Sequence, residues 1–85
     1  MKLVVYGIRD SKVEAFTRPV FKRSHGEAER NFRDEVSDKE SPMFKHAEDY
    51  DLYFFGEYDD VTGKFSLLDT PRHVEKAISV REALN

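Results

Sequence analysis

Asp51-Leu52-Tyr53-Phe54-Phe55-Gly56-Glu57-Tyr58-Asp59-Asp60-Val61-Thr62-Gly63-Lys64-Phe65-Ser66-Leu67-Leu68 reads as two strands and the turn between them. Strand side chains alternate between faces. That rule sets Leu52, Phe54, Gly56 and Tyr58 on one side of the first strand, and Tyr53, Phe55 and Glu57 on the other. Asp59 to Gly63 forms the turn: the paired Asp carboxylates suit local hydrogen bonds to backbone amides, and Gly63 suits a positive φ at its close. Lys64 to Leu68 then returns as the partner strand. An antiparallel hairpin is the centre of the fold.

Upstream, Lys2 to Arg9 carries Leu3, Val5 and Gly7 on one face and Val4, Tyr6 and Ile8 on the other. Both faces are apolar, which predicts a central strand covered on both sides. Asp10-Ser11 breaks the run, and Val13 to Lys22 follows as an extended segment or edge strand, because Pro19 cannot donate to a ladder. Ser24-His25-Gly26-Glu27 is a capping box, in which the Ser24 hydroxyl accepts from the Glu27 amide and the Glu27 carboxylate reaches back to the Ser24 amide. Ala28, Phe32 and Val36 then repeat every four residues, predicting a helix from His25 to Ser37. Ser41-Pro42 stops any continuation, and Met43 to Tyr50 reads as a polar loop anchored by Phe44. Beyond the hairpin, Thr70 as cap and Pro71 at the first helical position predict a last helix whose inward stripe is Val74, Ala77, Ile78 and Leu84. The expected fold is one α+β domain over residues 1–85, a small antiparallel sheet of three to four strands with two helices.

At 85 residues the core is thin, because a chain this short buries only about 60% of its unfolded surface. Seven Phe and four Tyr, with no Trp, must supply much of it. A dimer interface would be a natural supplement. No Cys is present, which excludes disulfide staples and thiolate metal sites and suits a reducing cytosol. The apolar run Leu3-Val4-Val5-Tyr6 is too short for a signal-peptide core or a membrane span, so a soluble protein is expected.

The net charge of −3 conceals a polarised chain. Residues 1–33 hold eight Lys/Arg against four Asp/Glu, residues 34–69 three against eleven, and residues 70–85 three against two. A basic first third can offer nucleic acid a positive face while the acidic middle looks elsewhere.

Catalytic patterns are missing. His25, His46 and His73 lie in separate elements without metal-ligand spacing. The run His46-Ala47-Glu48-Asp49-Tyr50-Asp51 and the pair Asp59-Asp60 do not match a calcium loop. Thr62-Gly63-Lys64 is a turn fragment rather than a phosphate loop, and no Ser occupies a nucleophile elbow. No enzyme activity, cofactor or metal is expected.

What remains is an interleaving of cations and rings. Arg9, Lys12, Arg18, Lys22, Arg23, Arg30 and Arg33 are candidate phosphate contacts, and Tyr6 and Phe16 are candidate stacking platforms if they prove exposed. Single-stranded nucleic acid is held by that combination. The competing reading makes the rings core and the cations a solvated face.

A family likeness bears on the choice. Glu40-Ser41-Pro42-Met43-Phe44-Lys45-His46-Ala47-Glu48-Asp49-Tyr50-Asp51-Leu52-Tyr53, then Gly56, Asp59-Asp60 and Thr62-Gly63-Lys64, resembles the small non-structural protein of gokushoviruses, bacteriophages of the microvirus group with single-stranded DNA genomes. Arg9-Asp10-Ser11, the Ala15-Phe16 to Phe21 block and the Ala28, Arg30, Phe32 helix extend the likeness over most of the chain. It implies a DNA-binding protein of the host bacterial cytoplasm, acting in the switch from duplex replication to single-strand synthesis and packaging. Its implied partners are single-stranded DNA and the replication initiator. The alternative is a protein–protein regulator docking on that initiator or on a host factor, with the acidic, aromatic region Tyr50 to Tyr58 as its surface.

Overall fold

The computed structural model describes residues 1–84. Strand β1 (Lys2–Asp10) leads into two short strands, β2 (Ala15–Phe16) and β3 (Val20–Lys22). Helix α1 (His25–Ser37), the short helix α2 (Pro42–Lys45) and a 3-10 turn (Ala47–Asp49) follow. The hairpin β4 (Tyr50–Asp59) and β5 (Lys64–Lys76) leads to helix α3 (Ala77–Glu82). The α+β class and the antiparallel sheet match the expectation, but the described residues form five strands rather than three or four, and three α-helices rather than two. β1 and β4 are central, β5 forms one edge, and β2 and β3 share the other edge along β1.

All three helices lie over one face of the sheet. There Val4 and Tyr6 of β1, Leu52 and Phe54 of β4, Ala28, Phe32 and Val36 of α1, and Ala77 and Val80 of α3 form one apolar cluster. The α1 stripe is the one its four-residue spacing predicts. Its cap differs in one bond. Ser24 Oγ accepts from the Glu27 amide at 3.1 Å, but the Glu27 carboxylate accepts from the amide and guanidinium of Arg23 rather than from the Ser24 amide. Met43 to Tyr50 is not a loop. Ser41 caps α2 through the Met43 amide, and the buried Ala47 holds the 3-10 turn against the core.

The helix expected at Thr70-Pro71 is a strand. Arg72 pairs with Phe54 and Lys76 with Asp51, so the ladder to β4 outweighs the local cap signal. Pro71 is tolerated because the register shifts there: between Leu67 and Arg72, Leu68 to Pro71 stand opposite Phe55 alone. Helix begins only at Ala77, and Leu84 is exposed rather than inward.

A second irregularity sits in β4. Val5 pairs with Gly56 and Tyr6 with Phe54, leaving Phe55 as an extra residue. Gly56 has φ +140°, and a Cβ there would strike the backbone of Ser66 and Leu67. This bulge inverts the alternation after Phe55. Tyr58 therefore lies with Phe21 and Phe65 on the side away from the helices, not with Leu52 and Phe54.

Candidate binding face of the sheet

Among the described residues, none forms a covering layer over the face opposite the helices. Its floor is built by β1 and β4: Val5 is buried beneath neighbouring rings, and Gly7 lets Phe55 lie across it, since a Cβ at Gly7 would come within 2.6 Å of that ring. Phe16 of β2 stands edge-on to Tyr53 and Phe55, at 5.2 and 5.3 Å between centroids. Phe21 of β3 stands edge-on to Tyr58 at 5.2 Å, and Phe65 of β5 lies 4.7 Å from Tyr58. The spacings are those of favourable aromatic pairs, so each ring fixes its neighbour. Between the two groups runs an open trough of about 330 Å³, walled by Pro19 on one side and by Leu68 and Pro71 on the other. Its lining carries no charged or polar side chain.

The candidate phosphate contacts do not gather on one surface. Arg9 projects from β1 onto the open face, its guanidinium 5.8 Å from the centre of Phe16. Lys12 and Arg18 are exposed on the segments flanking β2. These three make no ion pair within 4.0 Å among the described residues, which leaves them available to phosphate. Lys22, paired with Val4 in the ladder, points to the helix side beside Phe32. Arg30 is exposed on α1. Arg23 is taken by Glu27 at 3.1 Å and Arg33 by Glu75 at 3.0 Å.

Carboxylates accompany the free cations. Glu48, Asp49 and Asp51 share a hollow with Arg9, and Asp10 and Asp49 share one with Lys12. Asp51 Oδ2 lies 2.7 Å from Nε2 of His73, whose ring packs edge-on to Tyr53. His73 is therefore a strand residue of this face, not part of a helix start. His46, Glu48 and Asp49 bring ligand atoms within 4.8 Å of one another on the exposed 3-10 turn, an arrangement the turn itself accounts for.

Of the two candidate platforms, Phe16 is exposed and Tyr6 is not. Tyr6 is 1% exposed, its hydroxyl shares a hydrogen bond of 2.6 Å with His25 Nδ1, and burial raises its pKa. Tyr6 is a core residue and cannot stack on a base. Of the other outward-facing rings, Tyr53, Phe55 and Tyr58 fall in the region Tyr50 to Tyr58 expected as a docking surface, whereas Phe21 and Phe65 were not among the sequence candidates. Two signals for this face were present: Phe65 and Leu67 alternate along the returning strand, and Phe54-Phe55-Gly56 sets two rings before the Gly of a bulge.

The antiparallel sheet thus carries helices on one side and an open face of aromatic rings on the other. Among the described residues no helix is long and apolar enough to cross a membrane. The chain belongs to a bacteriophage protein family, described as Phage ORF5 protein, which it matches over residues 3–80. No curated protein and no solved structure matches it.

Proposed function

We propose that this chain is a single-stranded-DNA-binding protein, a non-enzymatic phage factor that works in the host cytoplasm during the switch from duplex replication to single-strand synthesis and packaging. The observation that carries the reading is the open aromatic face. Flat rings displayed on a sheet accept bases of any sequence, each stack contributing about 1–3 kcal/mol. Phe16 and Tyr53 are the platforms, and Arg9, Lys12 and Arg18 are the phosphate contacts beside them. Lys22, Arg23, Arg30 and Arg33 take no part, being on the helix side or already paired. Stacking therefore outweighs charge in this reading. Three phosphate contacts on a single strand give a slope of about −2 in log K against log salt.

With no Trp in the chain, tyrosine emission reports binding directly. Titration with an oligo-dT at two salt concentrations should quench it, with the shallow slope just given. Phe16→Ala should weaken binding about 10-fold. Absence of binding at low salt would end the proposal.

The trough favours a second reading, a regulator docking on the replication initiator or a host factor. An apolar hollow suits a protein side chain better than a base, whose hydrogen-bonding edges it would leave unpaired. Reversing Asp59 and Asp60 would not test this cleanly, since Asp59 accepts from the Val61 amide and Asp60 binds the amino terminus. Retention of the initiator by the wild-type chain, lost in Leu67→Glu, would favour it.

A further inference from the structure

We infer that in the absence of nucleic acid the open face is covered by a second copy of the same chain, the two sheets packing face to face. β1 is apolar on both sides, the pattern of a strand covered on both, yet the helices cover only one. The surface left over is large for so small a protein. Phe65 is 54% exposed, Leu67 58%, Phe21 43%, Leu68 41% and Phe16 40%. Counting roughly 200 Å² for each such side chain, these five leave on the order of 470 Å² of apolar area in water. That patch alone is about half of one side of a standard interface, near 800 Å² per partner, before any rim residue is counted.

Chemistry selects the occupant. The trough lining holds no charge, so a second copy of this face covers it without stripping water from an ion. The same face supplies protruding rings as well as the trough to receive them, the self-complementarity a two-fold contact needs. Two open faces stacked about 10 Å apart turn a two-layer slab, 18 Å in its thinnest dimension, into a helix–sheet–sheet–helix sandwich. Phe16 lies on this same surface. A DNA strand and a second copy therefore exclude each other, a consequence that rests on the function proposed above. The free protein is stored with its rings dry, and binding DNA splits the pair.

Sedimentation of the full chain across micromolar concentrations, without DNA, is the test. A concentration-dependent dimer is expected. Phe65→Glu and Leu67→Glu should each weaken it by about 100-fold, because a buried unpaired carboxylate is strongly unfavourable. Both positions are more than half exposed, so circular dichroism should show the variants folded. Hydrogen exchange on the wild-type chain gives a reading free of mutation: amides of β5 around Leu67 should gain protection as concentration rises. A chain that stays monomeric, a dimer indifferent to both substitutions, or open-ended oligomers would overturn the inference. So would a dimer that binds oligo-dT while keeping its β5 protection. A dimer that never binds DNA would leave the self-association standing and remove the DNA reading instead.

Discussion

Tyr6 and Phe54 on one face of the sheet, and Phe21 and Phe65 on the other, are all aromatic strand residues, yet the first pair is dry and the second is wet. The difference lies in what the chain can lay over each face. α1 crosses the first face with Ala28, Phe32 and Val36, and α3 adds Ala77 and Val80. Among the described residues no element lies over the other face. Burial without a covering layer is reached only locally, as where neighbouring rings shield Val5. One face thus holds the fold together, while the other leaves apolar area in contact with solvent.

The largest effect should separate the faces outright. Phe32→Ala empties a site 4% exposed at the centre of the helix-covered cluster and should lower stability by about 3–5 kcal/mol, enough to unfold so thin a domain. Phe65→Ala, on the open face, should change it by about 1 kcal/mol or less in the monomer. Urea denaturation of both variants checks the contrast. Equal losses would mean that the open face carries the fold as well.

The next effect concerns the bulge that decides which rings face outward. Gly56 combines φ +140° with backbone contact to Ser66 and Leu67, so Gly56→Ala meets both strain and collision. A loss of about 2–4 kcal/mol is expected. Gly63→Ala, at φ +74° with open space around it, should cost only about 1 kcal/mol. Thermal melts of the pair would show whether the bulge is a constraint of the sheet or a tolerance of its turn.

Much of the helix-covered side was legible in the chain. The spacing of Ala28, Phe32 and Val36 and the Ser24 cap specify α1 by local rules, and α1 formed as read. The open face was harder to see because it depends on register. Alternation places Tyr58 with Phe54, and only the extra residue at Phe55 moves it across, a shift created by pairing with Val5 fifty residues away. Thr70-Pro71 misled for a related reason: a cap signal is local, whereas pairing of Arg72 to Lys76 with β4 is tertiary. The scatter of the cations was hidden on the same ground. Composition counts Arg23 and Arg33 as free, but Glu27 and Glu75 reach them only in the folded chain.

The smallest effect lies at the start of α1, on the rim between the faces, and is read through pH. The Arg23 amide and then its guanidinium donate to the Glu27 carboxylate and hold its pKa below the ordinary value. A carboxyl group depressed by folding adds stability that is complete above its unfolded pKa and is lost as pH falls through the folded value. Asp59, held down by the Val61 amide at the hairpin turn, behaves in the same direction. Stability should therefore fall as the solution is acidified through and below the ordinary carboxylate range. Glu27→Gln should flatten part of that slope while leaving neutral-pH stability only slightly lower, since both groups are exposed and water screens them. The pH dependence of the urea midpoint measures it. An acid limb unchanged in Glu27→Gln would mean that the capping carboxylate gains nothing from Arg23, and would leave the α1 cap to the Ser24 hydroxyl alone.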